Sequence, residues 1–312
     1  MTVLVNMIVT LGMFYVVPAG LRLIDPAGLG RAARLWRLPA TAGALSLWLP
    51  RGMAATALAA LYACACLGLA ARALARLLRG RSLPRPSEIA VATALVSPSI
   101  AGTALVAERA GVRLFGFDLD ILALTVPHFH FAGFTAALVA GLVCRAAART
   151  GPPDGLSRGA AYSVPVGTLL VLLGYFVDDW AELVGAVVLT AGMWAVALLT
   201  WREIRPGARD RTTRALLSTS AVVLPATMLL ALWWAAGEAT GIVHPTLTWM
   251  AATHGLGNAL GFALCSLLAW RRLRSDAAPG TGPGDGPAGS PDTGPAVRPD
   301  IRPTAHLEET PS

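Results

Sequence analysis

LDILALTVPHFHFAGFTAALVAGLV, residues 119–143, decides the class of fold. Apart from Asp120 near its start the block is free of charge, and as a helix it reaches ~37 Å, enough to cross the ~30 Å hydrocarbon core of a bilayer. Outward from it, similar blocks recur at about 3–20, 35–50, 53–71, 88–107, 161–178, 182–200, 215–236 and 247–270, nine in all, with 35–50 the shortest. The chain is 55% hydrophobic and only 14% charged, which does not fit an ordinary water-soluble surface. An open sheet has no place in lipid, and barrel strands need short alternating segments where these blocks are continuously apolar. The expected fold is therefore an all-α polytopic transmembrane helix bundle of about nine spans over residues 1–274. Met1–Gly20 lacks a basic start and a small-residue cleavage site, so it reads as the first span and not as a removed leader.

Arginine positions order the spans. The chain has no lysine, and twenty arginines fall in the odd-numbered loops or just after the last span: Arg22 to Arg37, Arg72 to Arg85, Arg145 to Arg158, Arg202 to Arg214, and Arg271 to Arg274. The even-numbered loops hold only Arg51, Arg109 and Arg113, beside Glu108, Asp118, Asp120, Asp178, Asp179, Glu182 and Glu238. By the positive-inside rule this alternation predicts a cell-membrane protein with its N-terminus outside and its C-terminus in the cytoplasm. It reports orientation and not a nucleic-acid footprint. From 275 to 312 the composition changes: proline stands at every fourth position from Pro279 to Pro303 with glycines between. Such a pattern cannot be a helix interior, and a disordered cytoplasmic tail is expected, His306 included. Cys64, Cys66, Cys144 and Cys265 all lie in or at the ends of apolar blocks, where thiols act as small hydrophobes. No P-loop, dinucleotide-binding fingerprint or HExxH is present.

Intramembrane polar groups carry the functional information, because lipid makes them costly. In the fifth span His128 and His130 lie roughly 14 and 17 Å deep, and in the ninth His254 and Asn258 lie ~11 and ~17 Å deep on one face. On a regular helix His128 and His130 point about 200° apart, so they cannot both face one metal ion. Pro127 removes the hydrogen bond to the Ala123 carbonyl and predicts a distortion beside them. Gly133, Gly255, Gly257 and Gly261 remove bulk nearby, for close helix packing or for room around a flat cofactor.

Two of these segments carry a family resemblance. LTVPHFHFAGF (Leu124 to Phe134) and MAATHGLGNALGF (Met250 to Phe262), in a multi-span setting, resemble the YndJ-like family of bacterial membrane proteins, over the body up to about Arg274. The resemblance implies an architecture and a motif pair, not a reaction. Locally, HFH also resembles the helix of heme-copper oxidases on which two histidines ligate hemes from opposite faces. Here the motif order is reversed and no further intramembrane histidines supply a copper site, which argues against oxygen reduction by that route.

Three readings stay open for the histidines. They hold helices together by hydrogen bonds; or they serve transport or proton handling of a small molecule or ion; or His254 with His128 or His130 ligates heme or a metal. Ser97, Ser99 and Thr103 of the fourth span, with Thr125 and Asn258, are the candidate polar-pocket residues. Asp178, Asp179 and Glu182, like Glu238 and His244, read as solvated boundary residues. Burying each imidazole singly in lipid would cost a few kcal/mol per group. The fifth and ninth spans are therefore expected to be neighbours, with His254 and Asn258 facing one of the HFH pair across a pocket and the other histidine meeting Ser97 to Thr103.

Overall fold

The computed structural model describes residues 2–79, 83–149 and 155–277; Arg81 and the proline-rich segment expected to be disordered lie outside the described residues. Every regular element described is helical. In chain order the helices are α1 (Val3–Ile24), α2 (Gly30–Leu35), α3 (Arg37–Trp48), α4 (Met53–Arg79), α5 (Pro86–Ala110), α6 (Leu119–Ala147), α7 (Gly155–Val177), α8 (Asp179–Gly207), α9 (Arg211–Thr240) and α10 (Leu247–Asp276). Among the described residues eight of them, all but α2 and α3, are long and apolar enough to cross a membrane.

The second expected span is the one that differs. Pro39 has no N–H to offer the Leu35 carbonyl, so the helix breaks at Trp36, and the 12 residues of α3 alone rise only ~18 Å. The α2–α3 pair nevertheless runs back along α1. Trp36 Nε1 donates to Met13 O at 3.0 Å, and Asn6 Nδ2 donates to Leu47 O at 3.0 Å.

Two sets of contacts define opposite ends of the bundle. At one end, Glu88 accepts from Arg76 at 2.9 Å and Arg145 at 3.3 Å, and Arg76 also lies 3.8 Å from Asp25. There too, Arg274 donates to the carbonyls of Arg22 and Leu23 at 2.6 Å, and Arg272 pairs with Asp210 at 3.1 Å. The arginine-bearing loops thus gather at one end. Asp210 caps α9 by accepting from the hydroxyl and backbone N–H of Thr213, and these bonds hold its carboxyl down at about 2. At the other end Arg51 pairs with Glu108 at 2.9 Å, and buried Arg109 pairs with Glu108 while donating to the Ser46 and Leu49 carbonyls at 3.3 and 3.2 Å.

The closest packing in the bundle is the antiparallel α7–α8 hairpin, whose turn is closed by Asp178 accepting from Ala181 N at 2.8 Å. Gly167 and Gly174 on α7, and Gly185 and Gly192 on α8, are each seven residues apart and meet the facing helix. A methyl on Gly167 would lie 2.5 Å from Leu189 N; on Gly174 and Gly185 it would come closer still to the backbones of Glu182 and Val171. Small residues admit this approach, and dispersion contacts then hold the pair where water expulsion cannot.

Several helices widen into π-turns. The stretches Gly12–Val16 of α1, Phe129–Thr135 of α6 and Gly257–Leu264 of α10 pack mutually at the centre of the bundle. That of α6 begins two residues after Pro127, where the distortion is expected, and π-turns of this kind often mark functional positions.

Candidate functional site

At that centre the three imidazoles have different surroundings. His130 is fully buried and points toward α4. Its Nδ1 lies 2.7 Å from the carbonyl of Val126, which can only accept, so Nδ1 carries the proton and Nε2 the lone pair. The Tyr62 hydroxyl donates to that Nε2 at 2.5 Å, and the two rings stack with centroids 5.9 Å apart. Trp36 packs edge-on against the far side of Tyr62 at 5.8 Å. Gly12 leaves the room for the ring, since a methyl there would touch His130 at 3.1 Å.

His254 is fixed by the same reasoning. Its Nδ1 lies 2.7 Å from the Thr227 carbonyl and donates to it, leaving Nε2 to accept from Asn258 Nδ2 at 3.2 Å. Asn258 Oδ1 in turn accepts from Thr227 Oγ1 at 2.9 Å, so α9 and α10 are joined by a closed polar ring. Gly257 and Gly261 serve this packing: methyls there would meet Thr227 and Val223 of α9 at 2.8 Å. At Gly255 a methyl would meet the Met250 carbonyl at an ordinary 3.7 Å, and this glycine borders the cavity described next.

His128 is the exception. Its Nε2 is buried and has no hydrogen-bond partner. The ring lines a cavity of about 220 Å³ together with His254, Asn258, Glu182, Tyr175 and Trp234, enclosed otherwise by apolar side chains from α1, α6, α8, α9 and α10. The geometry thus brings His128, His254 and Asn258 to one cavity and sends His130 elsewhere.

The fourth-span residues are placed differently from the expectation. His130 meets Tyr62 of α4 and not Ser97 to Thr103. Ser97 bonds back to Thr93 O at 2.8 Å, Ser99 to Val96 O at 2.7 Å and Thr103 to Ser99 O at 2.9 Å, while Thr125 does the same to Ile121 O at 2.8 Å. A hydroxyl satisfied by its own helix needs no partner across the bundle. Ser97 packs against Gly133, and Ser99, Thr103 and Thr125 line a separate cavity of about 270 Å³ beside Phe117 and Phe176. Glu182, expected at a solvated boundary, lies one turn inside α8 on the cavity wall. Tyr62 and Thr227 escaped the sequence reading altogether; each is an intramembrane hydroxyl, which is the signal that marks them.

Bis-histidine heme does not fit this donor set. Axial ligation needs the Nε2 of His254 and of His128 or His130 turned to one iron. The Nε2 of His254 is already engaged by Asn258 and that of His130 by Tyr62. Protein purified from heme-replete cells should show no Soret band; a band lost in His254→Ala would overturn this.

A family model for a YndJ-like protein matches residues 7–262, from the start of α1 into α10, including all three imidazoles, Tyr62 and Asn258. The chain belongs to the YndJ-like family. It is 25% identical over 187 residues to the uncharacterized membrane protein YndJ of Bacillus subtilis (strain 168), an alignment that takes in 60% of this chain and 33% of that protein. This YndJ-like chain therefore spans about a third of that relative's length. No solved structure matches it.

Proposed function

We propose that this YndJ-like protein is a transport or proton-handling protein of the cell membrane, with its N-terminus outside, and that its working site is the cavity shared by α6 and α10. The observation that carries the reading is the unpartnered Nε2 of His128. A buried polar nitrogen without a hydrogen bond costs about 1–3 kcal/mol. A visiting water, proton or small ligand recovers that energy, whereas a purely structural histidine has its partner built in, as His130 and His254 do. An imidazole can both accept and release a proton at its ring nitrogens, which suits proton passage.

The test is made in vesicles loaded with a pH-sensitive dye. Wild-type protein is expected to collapse an imposed pH gradient severalfold faster than empty vesicles, and His128→Leu to return the rate to that of empty vesicles while eluting from gel filtration as wild type does. Equal rates for wild type and His128→Leu would remove His128 from any proton path.

A further inference from the structure

Reading the cavity as a ligand site leaves open what it takes, and its wall answers in part. Glu182 is its one acidic residue, and no arginine lines it. The charged neighbours of Glu182 are themselves acids, Asp179 and Glu238. None of the ion pairs among the described residues includes Glu182, while Glu238 is engaged by His244 at 3.1 Å. Among the described residues the Glu182 carboxylate thus has no cation built in to balance it. An anion would meet repulsion from these acids and no arginine on the wall. Beside a neutral ligand the acid would meet its burial by taking up a proton, whereas a cation would balance it in its ionised form.

Aromatic rings stand beside the acid. Trp234 and Tyr175 both line the cavity, and Tyr175 also has Glu182 among its charged neighbours. Ring faces attract cations, and organic ammonium ions above all, because the apolar groups on nitrogen remove the hydration that a metal ion keeps. Depth supplies the remaining constraint. From the helix rise, Glu182 lies roughly 5 Å into α8 and His128 roughly 14 Å into α6 from the same end of the bundle. The rest of the wall is largely apolar, with Val5, Ile8, Leu124, Leu189 and Met228 among its lining.

We propose that the cavity takes an amphiphilic organic cation, its ammonium centre against Glu182 and Trp234 and its apolar body reaching inward toward His128. This rests on the reading of the cavity as a ligand site, and the test separates the two. Full-length protein in detergent is titrated with benzyltrimethylammonium, with its uncharged carbon isostere neopentylbenzene, and with phenylacetate, following tryptophan fluorescence and equilibrium dialysis. The cation should bind saturably, at least tenfold tighter than the isostere, with phenylacetate not binding. Glu182→Gln should abolish that tenfold preference, and Asp118→Asn, which removes an exposed acid at the same end, should keep it. Equal binding of cation and isostere would overturn the cation assignment yet leave a ligand cavity. Binding of none of the three would overturn both. Should Glu182→Gln fail to fold, the comparison of cation and isostere in the wild-type protein decides alone.

Discussion

His130→Ala should cost about 3–5 kcal/mol of stability, the range for deleting a large buried ring, since the space it fills is closed on every side. The effect has two sources. The ring volume is lost against Gly12 and Tyr62, and the Tyr62 hydroxyl loses the acceptor 2.5 Å away. Tyr62→Phe isolates the second source: it leaves His130 Nε2 without a donor and should cost about 1–3 kcal/mol. His128→Ala, by contrast, enlarges an existing cavity and breaks no hydrogen bond of its Nε2, so its melting temperature in detergent should stay within a few degrees of wild type. Thermal unfolding of the three variants side by side checks the assignment. Equal losses for His128→Ala and His130→Ala would show that both rings are structural.

The second large effect lies in the α7–α8 hairpin. Gly174→Ala and Gly185→Ala each place a methyl into the facing backbone, which cannot rotate away as a side chain can. Each should cost about 1–3 kcal/mol, and the larger Gly174→Leu should prevent the pair from closing. Gly68 of α4 is the matched control: nothing lies within 4 Å of where its methyl would be. Gly68→Ala should be neutral or stabilise by about 0.5–1 kcal/mol, because alanine loses less backbone freedom in a helix. Melting curves that moved in the same direction for all three alanine variants would refute close backbone packing as the source.

Much of the architecture is legible in the sequence, and the reason is the solvent. Lipid forbids charge in the spans and gathers it at their ends, so block lengths and arginine positions outline the traverses before any contact is known. Trp36 is where this fails, since hydropathy averages over the break that Pro39 imposes. The depths of His128, His254 and Asn258 follow from counting residues at a fixed rise. Neighbours do not follow: helical phase says that His130 points away from His128 but not which helix it meets, and a lone Tyr62 among alanines looks like ordinary lipid-facing apolar sequence. Glu182 was hidden by its company, for Asp178 and Asp179 share its chemistry, and only the cap geometry turns Asp178 to the helix end while Glu182 faces inward.

The glycine contacts between α7 and α8 act as a set of stops. Backbone rests on backbone at Gly167, Gly174 and Gly185, so neither helix can slide or roll past the other without collision. Glu182 is mounted on that joint, its own Cα against Gly174, so the backbone that carries its carboxylate is held in place on the cavity wall. Across the cavity the Thr227, Asn258 and His254 ring joins α9 to α10, so the groups that settle the tautomer of His254 also fix the register of those two helices.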